Sequence, residues 1–172
     1  DHGVIWRTNP GMALEAYDRW SQGKGNGTAL VIYDTMWHST EEMAKRVGAG
    51  LQDEGISYRL LNLRYNHRSD VMREVLNASA IVLGCPTVNN GLLPRMAGFL
   101  MYMRGLRPLN KVGAAFGSFG WSGESVKLLN TAMTDMKFDI VDDGLKVKYV
   151  PEDTDYVKCV ELGQKVGQAI KA

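Results

Sequence analysis

Apolar residues along this chain switch between two spacings in a regular order. Short runs in which nearly every residue is apolar, such as Ala29-Leu30-Val31-Ile32 and Ala80-Ile81-Val82-Leu83, mark strands buried on both faces. Between such runs lie longer stretches with apolar positions three and four apart, as at Met43, Val47 and Leu51, the mark of helices with one buried side. The pattern predicts strands over 28–33, 57–63, 80–84, 111–118 and 138–150, the last broken at Asp142-Asp143-Gly144. It predicts helices over 39–53, 70–77, 94–104, 122–136 and 152–171. Ser39 stands three residues before Glu42, a capping-box spacing, Gly55 follows as a C-terminal cap would, and Pro94 opens a helix.

Strand and helix thus alternate through five strands, which argues an α/β fold: a doubly wound parallel sheet with helices on both faces. Five strands suit the order 2-1-3-4-5, in which ligands bind beyond the carboxyl ends of the strands, at the switch between the first and third. Ahead of this pattern, residues 10–22 carry helical spacing (Met12, Leu14, Ala16, Tyr17, Trp20), followed by Gly23-Lys24-Gly25-Asn26-Gly27, a hinge by composition. The expected division is a lead-in arm and linker over 1–27 and one domain over 28–172.

Charge narrows the classes of partner. Lys plus Arg number 20 against 19 for Asp plus Glu in 172 residues, without the basic bias of a nucleic-acid binder. The apolar runs fall short of a membrane span. Cys85 and Cys159 form no CxxC pair and read as free thiols of a cytoplasmic protein. His2, His38 and His67 lack metal-ligand spacing among themselves. The sequence opens on Asp1 rather than Met, so a chain cut from something longer is expected.

The candidate chemistry lies in three loops at strand ends. After the first strand, Asp34-Thr35-Met36-Trp37-His38-Ser39-Thr40 brings three hydroxyls to a helix N-terminus, where unpaired N–H groups and the helix dipole suit a phosphate; a plain cap by Ser39 is the simpler alternative. After the third strand, Pro86-Thr87-Val88-Asn89-Asn90-Gly91 favours a tight turn with positive φ that could aim amides at a planar heterocycle, or serve only as a turn. After the fourth, Gly117-Ser118-Phe119-Gly120-Trp121-Ser122-Gly123 lets backbone approach a ligand closely, with Trp121 either on that ligand or at the core's edge. Trp37 and Trp121 could each cover a flat ring. Together the loops describe a site for a phosphate on a chain attached to a flat tricyclic ring, which is FMN. The site residues are then Thr35, Met36, Trp37, His38, Ser39, Thr40, Pro86, Thr87, Val88, Asn89, Asn90, Gly91, Ser118, Phe119, Gly120, Trp121, Ser122 and Gly123. His38 reads equally as a neighbour of phosphate or flavin and as a solvated bystander, His67 as surface, and Asp34 as a turn former.

With these motifs, and with His2-Gly3-Val4-Ile5-Trp6-Arg7 and Ala115-Phe116 leading into the fourth-strand loop, the chain resembles the flavodoxin-like half of the flavo-diiron proteins (A-type flavoproteins). The resemblance covers nearly the whole chain. It implies a flavodoxin-like fold, bound FMN, and electron relay from rubredoxin or a similar donor to a diiron centre that reduces oxygen or nitric oxide; a free-standing flavodoxin-type electron carrier and a flavin-dependent quinone reductase of the same fold are the alternative readings. It also implies a head-to-tail homodimer of the full-length protein. The diiron domain and its His-x-Glu-x-Asp-His motif have no counterpart in this sequence; His2 alone matches a family iron ligand and would act only with that missing domain.

Overall fold

The computed structural model describes residue 3 and residues 5–172. His2 lies outside the described residues. The elements are α1 (Pro10–Ser21), β1 (Ala29–Tyr33), α2 (Ser39–Asp53), β2 (Tyr58–Asn62), α3 (Arg68–Asn77), β3 (Ala80–Gly84), α4 (Pro94–Leu106), β4 (Val112–Phe119), α5 (Ser125–Asp135), β5 (Asp139–Ile140), β6 (Leu145–Lys148) and α6 (Asp153–Lys171). The sheet runs β2-β1-β3-β4-β5 and every pairing is parallel. The broken fifth strand foreseen at Asp142-Asp143-Gly144 is present as two pieces. β5 pairs with Val112 and Gly113 at the start of β4, and β6 pairs with its last four residues, Phe116 to Phe119.

Every residue of β1 and β3 is buried, which explains why these strands read as unbroken apolar runs. Their side chains alternate between two cores. Leu30, Ile32, Ile81 and Leu83 pack with Val71, Phe99 and Leu129 from α3, α4 and α5. Val31, Tyr33 and Val82 pack with Met43, Val47, Leu162 and Val166 from α2 and α6. The latter pair of helices crosses closely: a Cβ at Gly50 would strike the Val160 carbonyl, and one at Gly163 the Val47 carbonyl.

The predicted cap of α2 and the predicted start of α5 differ from the structure. The Ser39–Glu42 capping box does not form, because Ser39 is already the first helical residue and His38 occupies the N-cap with φ 67°. The helix foreseen from 122 begins only at Ser125, because Gly123, at φ 88°, holds the preceding loop in a left-handed turn. The other end of α2 is as expected: Gly55, at φ 71°, donates to the Gln52 carbonyl while Ile56 N–H reaches Leu51, a Schellman closure.

α1 buries none of its residues. It is held at the amino end of the sheet, where Trp20 Nε1 donates to Asn77 Oδ1 at 2.9 Å and Asn110 Nδ2 to the Gln22 carbonyl at 2.9 Å. The glycine-rich segment that follows, though composed like a hinge, is tied to the turn before β3: Asn26 N–H donates to the Asn77 carbonyl and Gly27 N–H to Ser79 Oγ.

Candidate functional site

At the opposite, carboxyl end of the sheet lies a cleft of about 370 Å³, within the range of small-molecule sites. Volume alone does not single it out, since a surface depression between α5 and β6 holds about 380 Å³. Position and chemistry do. The cleft opens over the ends of β1, β3, β4 and β6, at the topological switch point, and is lined by Thr35, Met36, Trp37, Ser39, Thr40, Pro86, Thr87, Ser118, Phe119, Gly120, Tyr149 and Val150. None of these lining residues carries a charge.

The β1 loop delivers a helix N-terminus to this cleft. The first N–H groups of a helix have no intrahelical acceptor, and among the described residues no side chain caps those of α2. Two buried hydroxyls stand beside them. Thr40 Oγ1 lies 3.3 Å from Ser118 Oγ, which ties the β1 and β4 loops together. Thr35, 5% exposed, has an Oγ1 with no hydrogen-bond partner among the described residues. An orphaned buried hydroxyl costs about 1–3 kcal/mol, and Thr35 shares the cleft with Ser39 and Thr40 at the start of α2, so hydroxyl and N–H donors gather in one corner of it. Arg64 reaches the Thr35 carbonyl from behind at 3.5 Å.

The β3 loop is a two-residue reverse turn. Val88 and Gly91 exchange both backbone hydrogen bonds, at 3.2 and 2.9 Å, across Asn89 and Asn90 at φ 49° and 56°. Positive φ at both central positions defines a type I′ turn, and asparagine tolerates it better than most residues. This turn is tied to the β4 loop: Ser122 Oγ lies 3.4 Å from Asn90 Oδ1, Thr87 Oγ1 donates to Ser125 Oγ at 2.9 Å, and Ser125 N–H donates to Thr87 Oγ1. Underneath, Gly117 is obligatory, since a Cβ there would enter the Cys85 carbonyl. Cys85 is wholly buried and accepts the Leu93 N–H at its sulfur, and burial pushes its thiol up to about 12, so it stays protonated and unreactive.

Ten of the sequence-predicted residues line the cleft: Thr35, Met36, Trp37, Ser39, Thr40, Pro86, Thr87, Ser118, Phe119 and Gly120. His38, Val88, Asn89, Asn90, Gly91, Trp121, Ser122 and Gly123 stand in the bordering loops without lining it. Large aromatic surfaces face solvent around the mouth: Trp37 is 80% exposed, Trp121 91% and Tyr149 62%. Tyr149 and Val150 were missed in the sequence because they were absorbed into a long fifth strand. Tyr149 sits at φ 64°, its N–H bonded to the Phe119 carbonyl at 2.7 Å, with Lys148 Nζ 5.0 Å from its ring. The readable signal was an aromatic placed directly after the last strand.

Strand order and strand-end cleft define a doubly wound α/β domain of the flavodoxin type. The chain belongs to the flavodoxin family, whose sequence profile matches residues 31–163. It is 44% identical over its whole length to the rubredoxin-oxygen oxidoreductase of Megalodesulfovibrio gigas and 43% identical over 98% of its length to the nitric oxide reductase of Moorella thermoacetica. It spans 43% of each of those relatives. Among solved structures, the rubredoxin oxygen:oxidoreductase from Desulfovibrio gigas superposes with a TM-score of 0.94 at 43% identity, over 98% of this chain and 43% of that one.

Proposed function

We propose that this chain binds FMN in the strand-end cleft and relays electrons as one domain of a longer flavo-diiron oxidoreductase. The observation that carries the FMN reading is the orphaned Thr35 Oγ1 beside the uncapped start of α2. An acceptor-rich, anionic group satisfies both at once, and a phosphate is such a group. Thr35, Ser39 and Thr40 would hold the phosphate. Pro86, Thr87, Phe119 and Gly120 would border the ring, and the exposed Trp37, Trp121 and Tyr149 supply flat surface at the mouth. FMN supplies one- and two-electron chemistry when bound. The protein's own work is to hold it, to exclude water from the cleft's floor, and to keep the mouth open to a partner.

The rest of the reading comes from similarity. Relatives named as a rubredoxin-oxygen oxidoreductase and a nitric oxide reductase match along nearly the whole chain, and each is more than twice as long. Residues 1–27 then serve as lead-in and linker from a diiron domain, with His2 as one of its iron ligands. The electron donor is rubredoxin or a similar small iron protein. In the full-length protein, a head-to-tail homodimer of the cytoplasm, the acceptor is a diiron centre that reduces oxygen or nitric oxide.

The relay is tested by mixing the FMN-loaded chain anaerobically with reduced rubredoxin. Bleaching of the flavin absorbance in step with rubredoxin oxidation is expected. Bound flavin that stays oxidised while the same sample is readily reduced by dithionite would overturn the donor assignment.

A further inference from the structure

Three arginines near the carboxyl end of the sheet have no acid to pair with. Carboxylates hold Arg59, Arg73 and Arg104, but among the described residues none holds Arg64, Arg68 or Arg95. Arg64 ends against the Thr35 carbonyl at the cleft. Arg68 and Arg95 stand at the starts of α3 and α4, where they line one depression with Asn66, His67 and Gly98. A second depression continues it along α4, sharing Arg68 and Gly98 and adding Met101, Tyr102, Gly105 and Leu106. Asp70, in the first turn of α3, lines neither. Two features of this groove serve no purpose inside the fold. Gly98 and Gly105 lie within α4, where glycine weakens a helix, yet a Cβ at either would meet nothing. Met101 is 72% exposed between them, and Leu106 54%. Arginine, methionine and tyrosine are among the side chains enriched where proteins meet.

We propose that this groove is the docking surface of the electron donor, a small protein that presents carboxylates around an apolar contact. This rests on the relay reading above. Charge decides the partner: guanidinium groups without an acid partner attract carboxylates and repel a basic surface. Position decides the role. The Val88–Gly91 turn borders the cleft, and α4 starts at Pro94, three residues beyond it. Leu93 N–H, at the head of the groove, is fixed to Cys85 Sγ, and Arg64 joins the loop after β2 to the loop after β1. Each part of the groove has a task. Arg68 and Arg95 steer the donor, and the ring of Tyr102, 5.2 Å from the Arg68 guanidinium, holds that group in place. The bare helix surface at Gly98 and Gly105 permits close approach, and Met101 supplies the apolar contact.

The test follows reduction of the FMN-loaded chain by a reduced rubredoxin of net negative charge in anaerobic stopped flow. Each rubredoxin gives up one electron, so two are oxidised for each flavin fully reduced, with the proton taken from water. The wild-type second-order rate constant is expected to fall about tenfold between about 0.05 M and about 0.5 M salt. Arg68→Glu with Arg95→Glu is expected to lower it about 30-fold at the lower salt and to flatten its salt dependence. Gly98→Leu, which fills the groove without touching the fold, is expected to lower it about fivefold at both salts. FMN Kd and the rate of reduction by dithionite stay at their wild-type values in both variants. Lys24→Glu with Lys171→Glu makes the same change in net charge at the amino end of the sheet and is expected to lower the rate by less than about threefold. Equal losses in the two charge-reversed variants, or a Gly98→Leu rate equal to wild type, would overturn the docking surface and leave the donor reading standing. A wild-type dimer that Gly98→Leu converts to monomer in sedimentation would overturn it in favour of a second copy of this chain. Wild-type flavin that rubredoxin does not reduce would overturn both.

Discussion

The two ends of the parallel sheet are built from the same kinds of residue and finished differently. At the amino end, polar groups are matched. Asn77 Oδ1 accepts from Trp20 and Arg19, its carbonyl accepts from Asn26, and the buried Lys111 Nζ donates to the carbonyls of Ala78 and Leu76 at 2.6 and 3.3 Å. At the carboxyl end, among the described residues, the buried Thr35 hydroxyl lacks a partner, the start of α2 has no side-chain cap, and Trp37, Trp121 and Tyr149 stand in solvent around the cleft. Buried polar groups in folded proteins are nearly all satisfied; among the described residues Glu124 Oε2 and Asn130 Oδ1 of the α5 region also lack partners, and Thr35 Oγ1 is the one that lines the cleft. On the FMN reading proposed above, the difference separates residues that hold the fold from residues that hold the ligand.

The largest effect that sharpens this contrast is expected from Gly117→Val. Its side chain would enter the Cys85 carbonyl beneath the cleft and push the β3 and β4 loops apart. A loss of about 3 kcal/mol in urea unfolding is expected, together with loss of FMN binding. Next is a paired comparison between the ends. Thr35→Ala with Thr40→Ala should weaken FMN binding about 100-fold, as expected for two hydrogen bonds to a charged group, while Thr35→Ala alone leaves the apoprotein as stable as wild type or more stable, because it removes a buried hydroxyl without a partner. Asn77→Ala should do the reverse: about 1–2 kcal/mol of stability lost, with FMN affinity unchanged. If the two variants affect binding alike in isothermal titration, the division between the ends is wrong.

How far the sequence revealed each end follows from the physics of each. The parallel sheet was legible because strands buried on both faces leave unbroken apolar runs, as β1 and β3 do. The Asn89-Asn90 turn was legible because few residues accept positive φ twice in succession. The N-cap of α2 was misread. Ser39 looked like the cap, but the chain instead places His38 there in a left-handed conformation, a choice made by the loop's path and not by local preference. Tyr149 was hidden by the broken fifth strand: β6 joins β4 through its own short register, and the residue after it reaches the cleft only once the sheet is assembled. The hydrogen bonds that fasten residues 22–27 to Asn77, Ser79 and Asn110 are long-range, and glycine-rich composition carries no trace of them.

The smallest expected effect comes from Lys111, at the amino end. Burial pushes its ammonium down to about 8 from an ordinary 10.5. Between those values the folded state releases a proton that the unfolded state retains, so folding gains as pH rises through that window and the gain is lost as pH falls back through 8. The carbonyl bonds favour the charged form and reduce the gain to about 1 kcal/mol. The stability of wild type relative to Lys111→Met should therefore increase between pH 8 and 10.5 by urea midpoint, with FMN affinity the same in both proteins at pH 7.

The central claim, that the unfinished end of the sheet is an FMN site, is tested most directly by titrating the purified, flavin-stripped chain with FMN. The account predicts flavin absorbance bands retained after gel filtration at one FMN per chain, and release of FMN by acid. A folded chain that stays colourless at saturating FMN would contradict it.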